Sequence, residues 1–385
     1  MSVEYYQFDG DYTERSFKHF LRWAAKQGAS DVNVQSGDYI FLEISGRQVQ
    51  ATAETMKHGN LEQLIPNVWG NEVSSLVKSQ EAADRAIDVT GEDFDLPRGV
   101  SIRYRCNICQ ARIASIETGY SISIRIVPAE LPTFEKLGIE EELIRDFFPG
   151  KGLVLVCGPT GSGKTTLQAA AYHRIGTTMP HRKVITSEDP IEYVLGGKHW
   201  VGVQPAQSQI GRDFKSFSEA NRAAMRRAPK IIGIGELRDR ESMDAAITAS
   251  SSGHLTYGTT HTDSVPETIN RIIQEFPADL QPAIANKLLG VLKVIVVQRL
   301  LKTLDGKRVA IREYVIFDRE LRNTLQEMDF QQWPLYLRTM LENNKLTLAD
   351  KAFVLFRQNV ISAEEFIELE GAKEFDRRMA NAKDE

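Results

Sequence analysis

The chain has 385 residues, enough for two or three domains and a sizeable buried core. Hydrophobic residues make up 42% and charged residues 26%, and no apolar run reaches the roughly 18–20 residues that a membrane-spanning helix needs. The net charge of −5 argues against a nucleic-acid-binding surface, so we expect no direct nucleic-acid partner. Residues 1–12 lack the basic and apolar segments of a signal peptide, which predicts a cytoplasmic protein.

The first third of the chain is predicted to be a mixed α+β domain. Apolar residues at helical spacing predict helices, and alternating residues predict strands. The predicted helices span residues 13–27, 61–69 and 72–82, and the predicted strands span 31–34, 39–44, 86–89, 100–106 and 122–127. Arginines lie on these last strands or on their connections, namely Arg103, Arg105, Arg112 and Arg125. For any one of them alone, a solvated side chain on an exposed sheet face is the better interpretation.

Two cysteines, Cys106 and Cys109, form a single CxxC pattern on a predicted strand. A zinc or redox site usually needs a second such pair or a nearby histidine. Packed free thiols are therefore the expected state of these cysteines.

The domain organisation is predicted from a segment that contains two prolines and lacks periodicity, residues 127–133. Such a segment is typical of an extended linker. We predict an N-terminal domain at 1–126, a linker at 127–138, a second domain at 139–330 and a C-terminal helical segment at 331–385. The charged tail from Lys373 is expected to lack fixed structure.

The most specific motif follows an apolar segment, residues 153–156, that is typical of a buried parallel strand. The next eight residues fit the phosphate-loop pattern without a mismatch, and a predicted helix follows them. A glycine-rich backbone can wrap around phosphates, and the start of a helix directs N–H groups at them. Lys164 is expected to reach the β- and γ-phosphates, and Thr165 to place its hydroxyl on Mg²⁺. The predicted nucleotide-binding residues are Gly158, Pro159, Thr160, Gly161, Ser162, Gly163, Lys164, Thr165 and Thr166.

Two predicted strands after this motif end in acidic residues. The first ends in Glu188 and Asp189, either of which could orient or deprotonate an attacking water. A plain turn is the alternative there, because Asp-Pro is common in turns. The second ends in Glu236, which is expected to handle Mg²⁺ and its water shell. The usual aspartate is absent, so Glu236 would act alone or together with Glu188.

A later predicted strand, residues 255–259, has a histidine at each end, His254 and His261. A histidine near a γ-phosphate can sense whether that phosphate is present. Two histidines do not make a zinc site, which takes four ligands. The alternative is a structural, hydrogen-bonded histidine, and it has more weight for His254. The remaining chain predicts a buried helix and strand over 284–301, a closing strand over 308–317 and amphipathic helices from residue 335.

These motifs together resemble those of the secretion and pilus-retraction ATPases, the hexameric motors of type IV pili and of type II and type IV secretion. Four segments resemble, in the family's order, its Walker A motif, its acidic Asp box, its atypical Walker B motif with a glutamate and its His box. They are residues 158–166, 187–193, 231–239 and 252–262. Outside these motifs, residues 29–33 resemble the start of the family's PAS-like domain, 130–138 its interdomain linker and 297–301 the strand after its His box.

Within this family the chain is most similar to the retraction type and to its relatives in type IVB secretion and plasmid conjugation, the DotB group. It has no paired CxxC zinc module, its N-terminal extension is short, and residues 319–325 partly resemble the retraction motif. The residues at the start of that motif, 317–319, differ from the family's small apolar ones, so secretion or conjugation fits better than pilus retraction.

The resemblance implies an α/β protein with an N-terminal PAS-like α+β domain joined to a RecA-like P-loop ATPase domain with a parallel sheet. It implies ATP and Mg²⁺ as ligands, with His254 and His261 reporting the γ-phosphate. Arg105 and Arg125 would approach the nucleotide from the N-terminal domain. The implied partners are five further copies in a homohexamer and inner-membrane or cytoplasmic components of a secretion system, through which alone the protein would touch the membrane.

Two functions of other classes stay open at this point. One is a nucleotide-gated scaffold with little turnover, against which the presence of both Glu188 and Glu236 argues. The other is a DNA translocase, against which the acidic net charge and the lack of basic–aromatic patches argue.

Overall fold

The structure is a computed structural model, and it describes residues 4–8, 10, 12–44, 46–96, 101–127 and 130–381. The chain divides into two compact units. The first comprises Met1–Leu131 and Glu192–Val194, and the second comprises Pro132–Ile191 and Leu195–Glu385. Part of the predicted linker, residues 128–129, lies outside the described residues. In the described part of the chain, every helix is too short or too polar to cross a membrane.

The described residues of the first unit form an antiparallel six-stranded sheet with the order β3-β2-β1-β6-β5-β4. The strands are β1 (Asp31–Gln35), β2 (Phe41–Ile44), β3 (Arg47–Gln50), β4 (Ala83–Thr90), β5 (Ser101–Ile113) and β6 (Ile116–Val127). The helices are α1 (Glu14–Lys26), α2 (His58–Trp69) and α3 (Asn71–Lys78), with a 3₁₀ turn at Glu92–Phe94.

The core of the first unit lies between one face of this sheet and the helices. Burial alternates along β1, where Val32 and Val34 are buried, so that the other face is left for polar residues. Helix α1 turns Phe17 and Phe20 into the same core, and Thr13 caps it by accepting a hydrogen bond from the Ser16 N–H. The apolar residues whose spacing predicted this helix are therefore the ones that it buries.

The two cysteines of the CxxC pattern are free thiols, as predicted. Cys106 is buried and Cys109 half-buried on β5. Because residues three apart on a strand point to opposite faces, these two thiols do not converge on one metal. Burial raises the pKa of Cys106. Among the described residues, the structure shows no group of three or more His, Cys, Asp or Glu side chains placed to hold a metal ion.

The described residues of the second unit form a seven-stranded sheet with the order β13-β12-β7-β11-β10-β8-β9, parallel except where β13 joins β12. The strands are β7 (Gly152–Cys157), β8 (Val184–Glu188), β9 (Ala206–Gln209), β10 (Ile231–Ile234), β11 (Leu255–Thr260), β12 (Leu292–Lys302) and β13 (Arg308–Ile316). The helices are α4 (Phe134–Leu137), α5 (Glu141–Asp146), α6 (Lys164–Thr178), α7 (Phe217–Met225), α8 (Arg240–Ser251), α9 (Val265–Gln274), α10 (Gln281–Val291), α11 (Arg319–Gln326), α12 (Trp333–Asn343), α13 (Leu348–Arg357), α14 (Ala363–Glu370) and α15 (Ala372–Asn381), with a 3₁₀ turn at Phe330–Gln332.

Strand β7 is buried at every position because helices cover both faces of the sheet. Leu153 and Leu155 belong to a core shared with α8, α9 and α10. Val154 points to the opposite face, as does its register partner Tyr257, whose ring contacts that of Tyr172 on α6. A buried central strand with helices on both sides is the arrangement that the apolar run predicted.

The C-terminal helices share the core of the second unit. Trp333, Leu337 and Leu341 of α12 are buried in the same cluster as the sheet residues. The indole N–H of Trp333 donates to the Leu325 carbonyl at 2.7 Å. The amphipathic pattern from residue 335 onward is therefore explained by packing against this unit.

The prediction that the tail from Lys373 lacks fixed structure is wrong for residues 373–381, which lie in helix α15. The ring of Phe375 packs against aromatic rings of α13 and α14. Arg378 pairs with Asp350 at 2.8 Å and with Glu374 at 2.6 Å. These tertiary contacts stabilise a segment whose composition alone favours disorder. Residues 382–385 lie outside the described residues.

We expect Arg378→Ala to lower the free energy of unfolding by about 2 kcal/mol, because it leaves the half-buried Asp350 without its cation. The matched control is Arg377→Ala. Arg377 also pairs with Glu374, but its side chain is 67% exposed, so we expect a change within about 0.5 kcal/mol. Urea unfolding measures both values. Equal losses for the two variants would contradict the anchoring role of Arg378.

Candidate functional site

The phosphate loop, residues 158–163, connects β7 to α6. Gly161 and Gly163 have φ angles of +78° and +83°, in the left-handed region that favours glycine. A Cβ atom added at Gly161 would meet no described atom within 4 Å, so the backbone there is open to a close ligand. Among the described helices, α7, α8 and α9 have side-chain caps, whereas α6 begins without one. The start of α6 is therefore suited to an anion.

Lys164 is the first residue of α6, and its side chain is buried. Its ammonium donates to the carbonyls of Gly158 at 2.7 Å and Pro159 at 2.9 Å. The same nitrogen lies 3.5 Å from Nδ1 of His261. The cation is thus held inside the curve of the loop, beside a histidine ring.

A run of polar contacts continues from Lys164 across this edge of the sheet. Nε2 of His261 lies 3.4 Å from Oε1 of Glu236, and Nε of Arg238 donates to the other Glu236 oxygen at 2.7 Å. Arg238 also lies 3.8 Å from Asp189. Burial, followed by the charge of Lys164, lowers the pKa of His261. This shift favours the neutral ring, which lies between the lysine and the carboxylate.

Parallel strands explain why residues far apart in the chain meet here. Cys157 of β7 is the register partner of Thr260 on β11, so the phosphate loop and His261 leave the sheet side by side. Glu236 follows β10, the next strand beyond β11. The carboxyl ends of neighbouring parallel strands form the usual ligand-binding edge of an open α/β sheet.

Glu188 lies at the same edge but farther from the loop. Its strand, β8, is separated from β7 by β11 and β10, which places it across about 14 Å of sheet at about 4.8 Å per strand. Its carboxylate accepts hydrogen bonds from Thr186 at 2.6 Å and from Gln207 at 2.9 Å. The structure therefore brings Glu236 next to the loop and holds Glu188 at a distance.

His254 does not lie among these residues, and the role proposed for it in reporting the γ-phosphate stays a prediction. It lies before β11, where its carbonyl accepts from the Gly152 N–H at 3.0 Å and its Nδ1 lies 3.1 Å from the Pro229 carbonyl. At about 3.3 Å per residue, the length of β11 puts it about 20 Å from His261. Residues at the two ends of one strand lie at opposite edges of the sheet, and only the carboxyl edge carries the phosphate loop.

In the first unit, Arg105 of β5 and Arg125 of β6 are direct register partners. Arg105 pairs with Glu192 at 3.2 Å, and Arg125 donates to Asp31 at 2.9 Å. Each guanidinium is therefore matched to one carboxylate within its own unit. The two side chains share the sheet face opposite the helical core.

Two contacts of the site were not predicted from the sequence. Arg238 bonds to Glu236, and its position two residues after that acid is a signal that could have identified it. Gln298 donates from its side-chain amide to the Ser162 carbonyl at 2.7 Å. It lies 136 residues away along the chain, and no local pattern marks it.

Comparisons with known proteins identify the family of the chain. The family model described as "Type II/IV secretion system protein" matches residues 12–339. The type IV pilus retraction ATPase PilT of Pseudomonas aeruginosa is 34% identical over 307 residues, which cover 80% of this chain and 84% of that protein.

Two solved structures are also similar to the chain. The Legionella pneumophila ATPase DotB superposes with a TM-score of 0.81 at 29% identity, covering 97% of this chain and 98% of DotB. The pilus retraction motor PilT with bound ADP superposes with a TM-score of 0.79 at 31% identity, covering 94% of this chain and 98% of that one. The predicted fold class, an N-terminal domain followed by a RecA-like ATPase domain, is confirmed. The chain therefore belongs to the Type II/IV secretion system protein family, and it is a nucleotide-binding ATPase of the secretion and pilus type.

Proposed function

We propose that this ATPase is a homohexameric motor that powers a type IVB secretion or conjugation system by ATP hydrolysis. The observation that carries the proposal is the contact run from Lys164 through His261 to Glu236, which joins a phosphate-binding cation to an acid at one sheet edge. The overall similarity to DotB over 97% of the chain supports the choice of machine. The protein would work at the cytoplasmic side of the inner membrane, held there by components of the secretion system.

Pilus retraction is the second candidate function, favoured by the 34% and 31% identity to the curated PilT and twitching motility proteins. The two candidates are separated by expressing this chain in strains that lack either PilT or DotB. Restored pilus retraction would support the second candidate, and restored secretion would support the first.

The proposed chemistry is the in-line attack of water on the γ-phosphate of ATP. The loop backbone from Gly158 to Gly163, Lys164 and Thr166 would hold the phosphates. The oxygen donors at the loop fit Mg²⁺, since this ion is usually held by few protein oxygen ligands together with substrate phosphates and water. The hydroxyl of Thr165 would be one ligand, and Glu236 would act on the ion or its water. Bound there, Mg²⁺ neutralises charge on the phosphates.

Glu236 is also the acid best placed to orient the attacking water, because its carboxylate contacts His261, whose ring in turn contacts Lys164. Glu188 is the further candidate for the general base, although its carboxylate lies farther along the edge. His261 would report the γ-phosphate. Arg105 and Arg125 are proposed to neutralise phosphate charge, each exchanging its carboxylate partner for phosphate. Where arginine fingers have been studied, such charge neutralisation is worth on the order of 10³-fold or more in rate.

If the active form is a ring, specific ATPase activity should rise with protein concentration. We expect the rise to follow the hexamer population that sedimentation or size-exclusion analysis measures in the same samples. Specific activity that stays constant while only monomer is present would argue against the ring. Binding of ATP with negligible turnover in every oligomeric state would instead favour the scaffold function.

The lowered pKa of His261 predicts a pH dependence of stability. Because the unfolded chain binds a proton at this histidine more readily than the folded one, folding gains stability above about pH 6.5 and loses it as the pH falls through the folded pKa. We expect His261→Gln to reduce the difference in unfolding free energy between about pH 7.5 and about pH 5.5. A pH dependence that His261→Gln does not alter would contradict the prediction.

A further inference from the structure

Gln298 of β12 touches the phosphate loop at three points. Its side-chain N–H donates to the Ser162 carbonyl at 2.7 Å. A Cβ atom added at Gly163 would lie 2.8 Å from that same nitrogen, and one added at Gly158 would lie 2.3 Å from the Gln298 backbone oxygen. Glycine is therefore needed at these two positions to admit Gln298, in contrast to the open backbone at Gly161.

This contact fixes a peptide group of the loop. The Ser162 carbonyl and the Gly163 N–H belong to one planar trans peptide, so they point in opposite directions. Holding the carbonyl toward Gln298 turns the Gly163 N–H away from it. In a phosphate loop, backbone N–H groups of this kind contact the phosphates. Gln298 thus orients the Gly163 N–H for phosphate without contacting that N–H itself.

Arg312 of β13 determines which way the Gln298 amide points. It is the register partner of Gln298, and its side chain is 2% exposed. Its Nε donates to the Gln298 side-chain oxygen at 2.8 Å. Because arginine is only a donor, the amide oxygen must face Arg312 and the amide N–H groups must face Ser162. If the amide were flipped, its N–H groups would face the Arg312 N–H and its oxygen would face the Ser162 carbonyl, so neither hydrogen bond could form.

The other end of Arg312 is bound to residues 137–140, where the predicted linker ends. Its terminal nitrogens donate to the carbonyls of Leu137 at 3.0 Å and Gly138 at 3.1 Å, and to Glu140 at 3.3 Å. The buried guanidinium therefore bridges the loop side of the sheet and residues 137–140. Removing one partner from such a buried series of hydrogen bonds leaves the remaining polar groups unpaired. The series is therefore sensitive to movement at either of its ends.

We propose that Gln298 and Arg312 are positioning residues that orient the Ser162–Gly163 peptide for phosphate and couple nucleotide binding to residues 137–140. The proposal rests on the proposed nucleotide site at the phosphate loop. Because coupling is reciprocal, nucleotide that stabilises the loop also stabilises residues 137–140, and the loss of one of these hydrogen bonds weakens both effects.

The decisive variant is Gln298→Glu. A carboxylate keeps the shape and the acceptor for Arg312, but it has no donor for the Ser162 carbonyl. We expect ADP binding, measured by calorimetry, to weaken about tenfold. The control is Glu313→Gln. Glu313 is also buried on β13, but it accepts from the Val265 N–H, so this variant should bind ADP like the wild type.

A second readout separates positioning from a general loss of stability. We expect ADP to slow hydrogen exchange of the amides at 137–139 in the wild type and in Glu313→Gln, and not in Gln298→Glu. Should Gln298→Glu fail to fold, Arg312→Lys is used, because lysine keeps the charge without the forked contacts. Wild-type affinity together with wild-type protection at 137–139 in the folded variant would overturn the inference. A wild-type protein that does not bind ADP would overturn the proposed nucleotide site itself.

Discussion

Replacing Lys164 with alanine should abolish ATP hydrolysis, with a loss of at least about 10²- to 10³-fold in turnover. The ammonium is buried inside the loop, and in the free protein it is held by two carbonyls of that loop. We expect phosphate oxygens to take over this cation when nucleotide binds, because a charged acceptor bonds it more strongly than a carbonyl. Steady-state phosphate release and ADP calorimetry measure the two effects.

The control for this variant is Lys151→Ala, which removes an exposed lysine just before β7, at the opposite edge of the sheet. It should leave both turnover and ADP affinity unchanged. Thermal unfolding of both variants shows whether the fold is retained. A folded Lys164→Ala protein with wild-type turnover would exclude the phosphate loop as the catalytic site.

Glu236→Gln should lower turnover by about 10²- to 10⁴-fold, the range expected for loss of a general base, while ATP binding changes only a few-fold. The amide keeps an acceptor for Arg238 and is nearly isosteric, so the local structure is expected to persist. Turnover must be measured separately from binding, since a loss confined to turnover identifies an interaction of the transition state.

Glu188→Gln distinguishes the two candidate acids. If Glu236 orients the water alone, Glu188→Gln should retain most of the turnover; if Glu188 is the base, it should lose as much as Glu236→Gln. Glu241→Gln, an exposed acid in the first turn of α8, is the neutral control. Wild-type turnover in Glu236→Gln would remove the role proposed for that residue.

Local sequence patterns were enough to predict much of the secondary structure and the phosphate loop of this protein. The period of apolar residues predicted many of the helices and strands that define both cores, because a half-buried element must present its apolar side chains at its own repeat. It did not predict β3, β9, α7 or α9. The phosphate loop was also predictable, since its glycines, Lys164 and Thr165 act within a few residues of one another. The order of strand and helix after it predicted the parallel sheet, and with it the edge at which Glu236 and His261 meet.

Only the tertiary structure shows which residues meet across the sheet and which segments are ordered by contacts with distant parts of the chain. His254 and His261 are equivalent in a linear reading, but strand direction places only His261 beside the loop. Composition predicted a disordered tail, yet packing of α15 orders residues 373–381. Gln298 and Arg312 carry no local pattern, because they act as hydrogen-bond partners only where β12 and β13 pass the loop and residues 137–140. A local pattern records which face of an element is buried, and it holds no information on which distant group that face will meet.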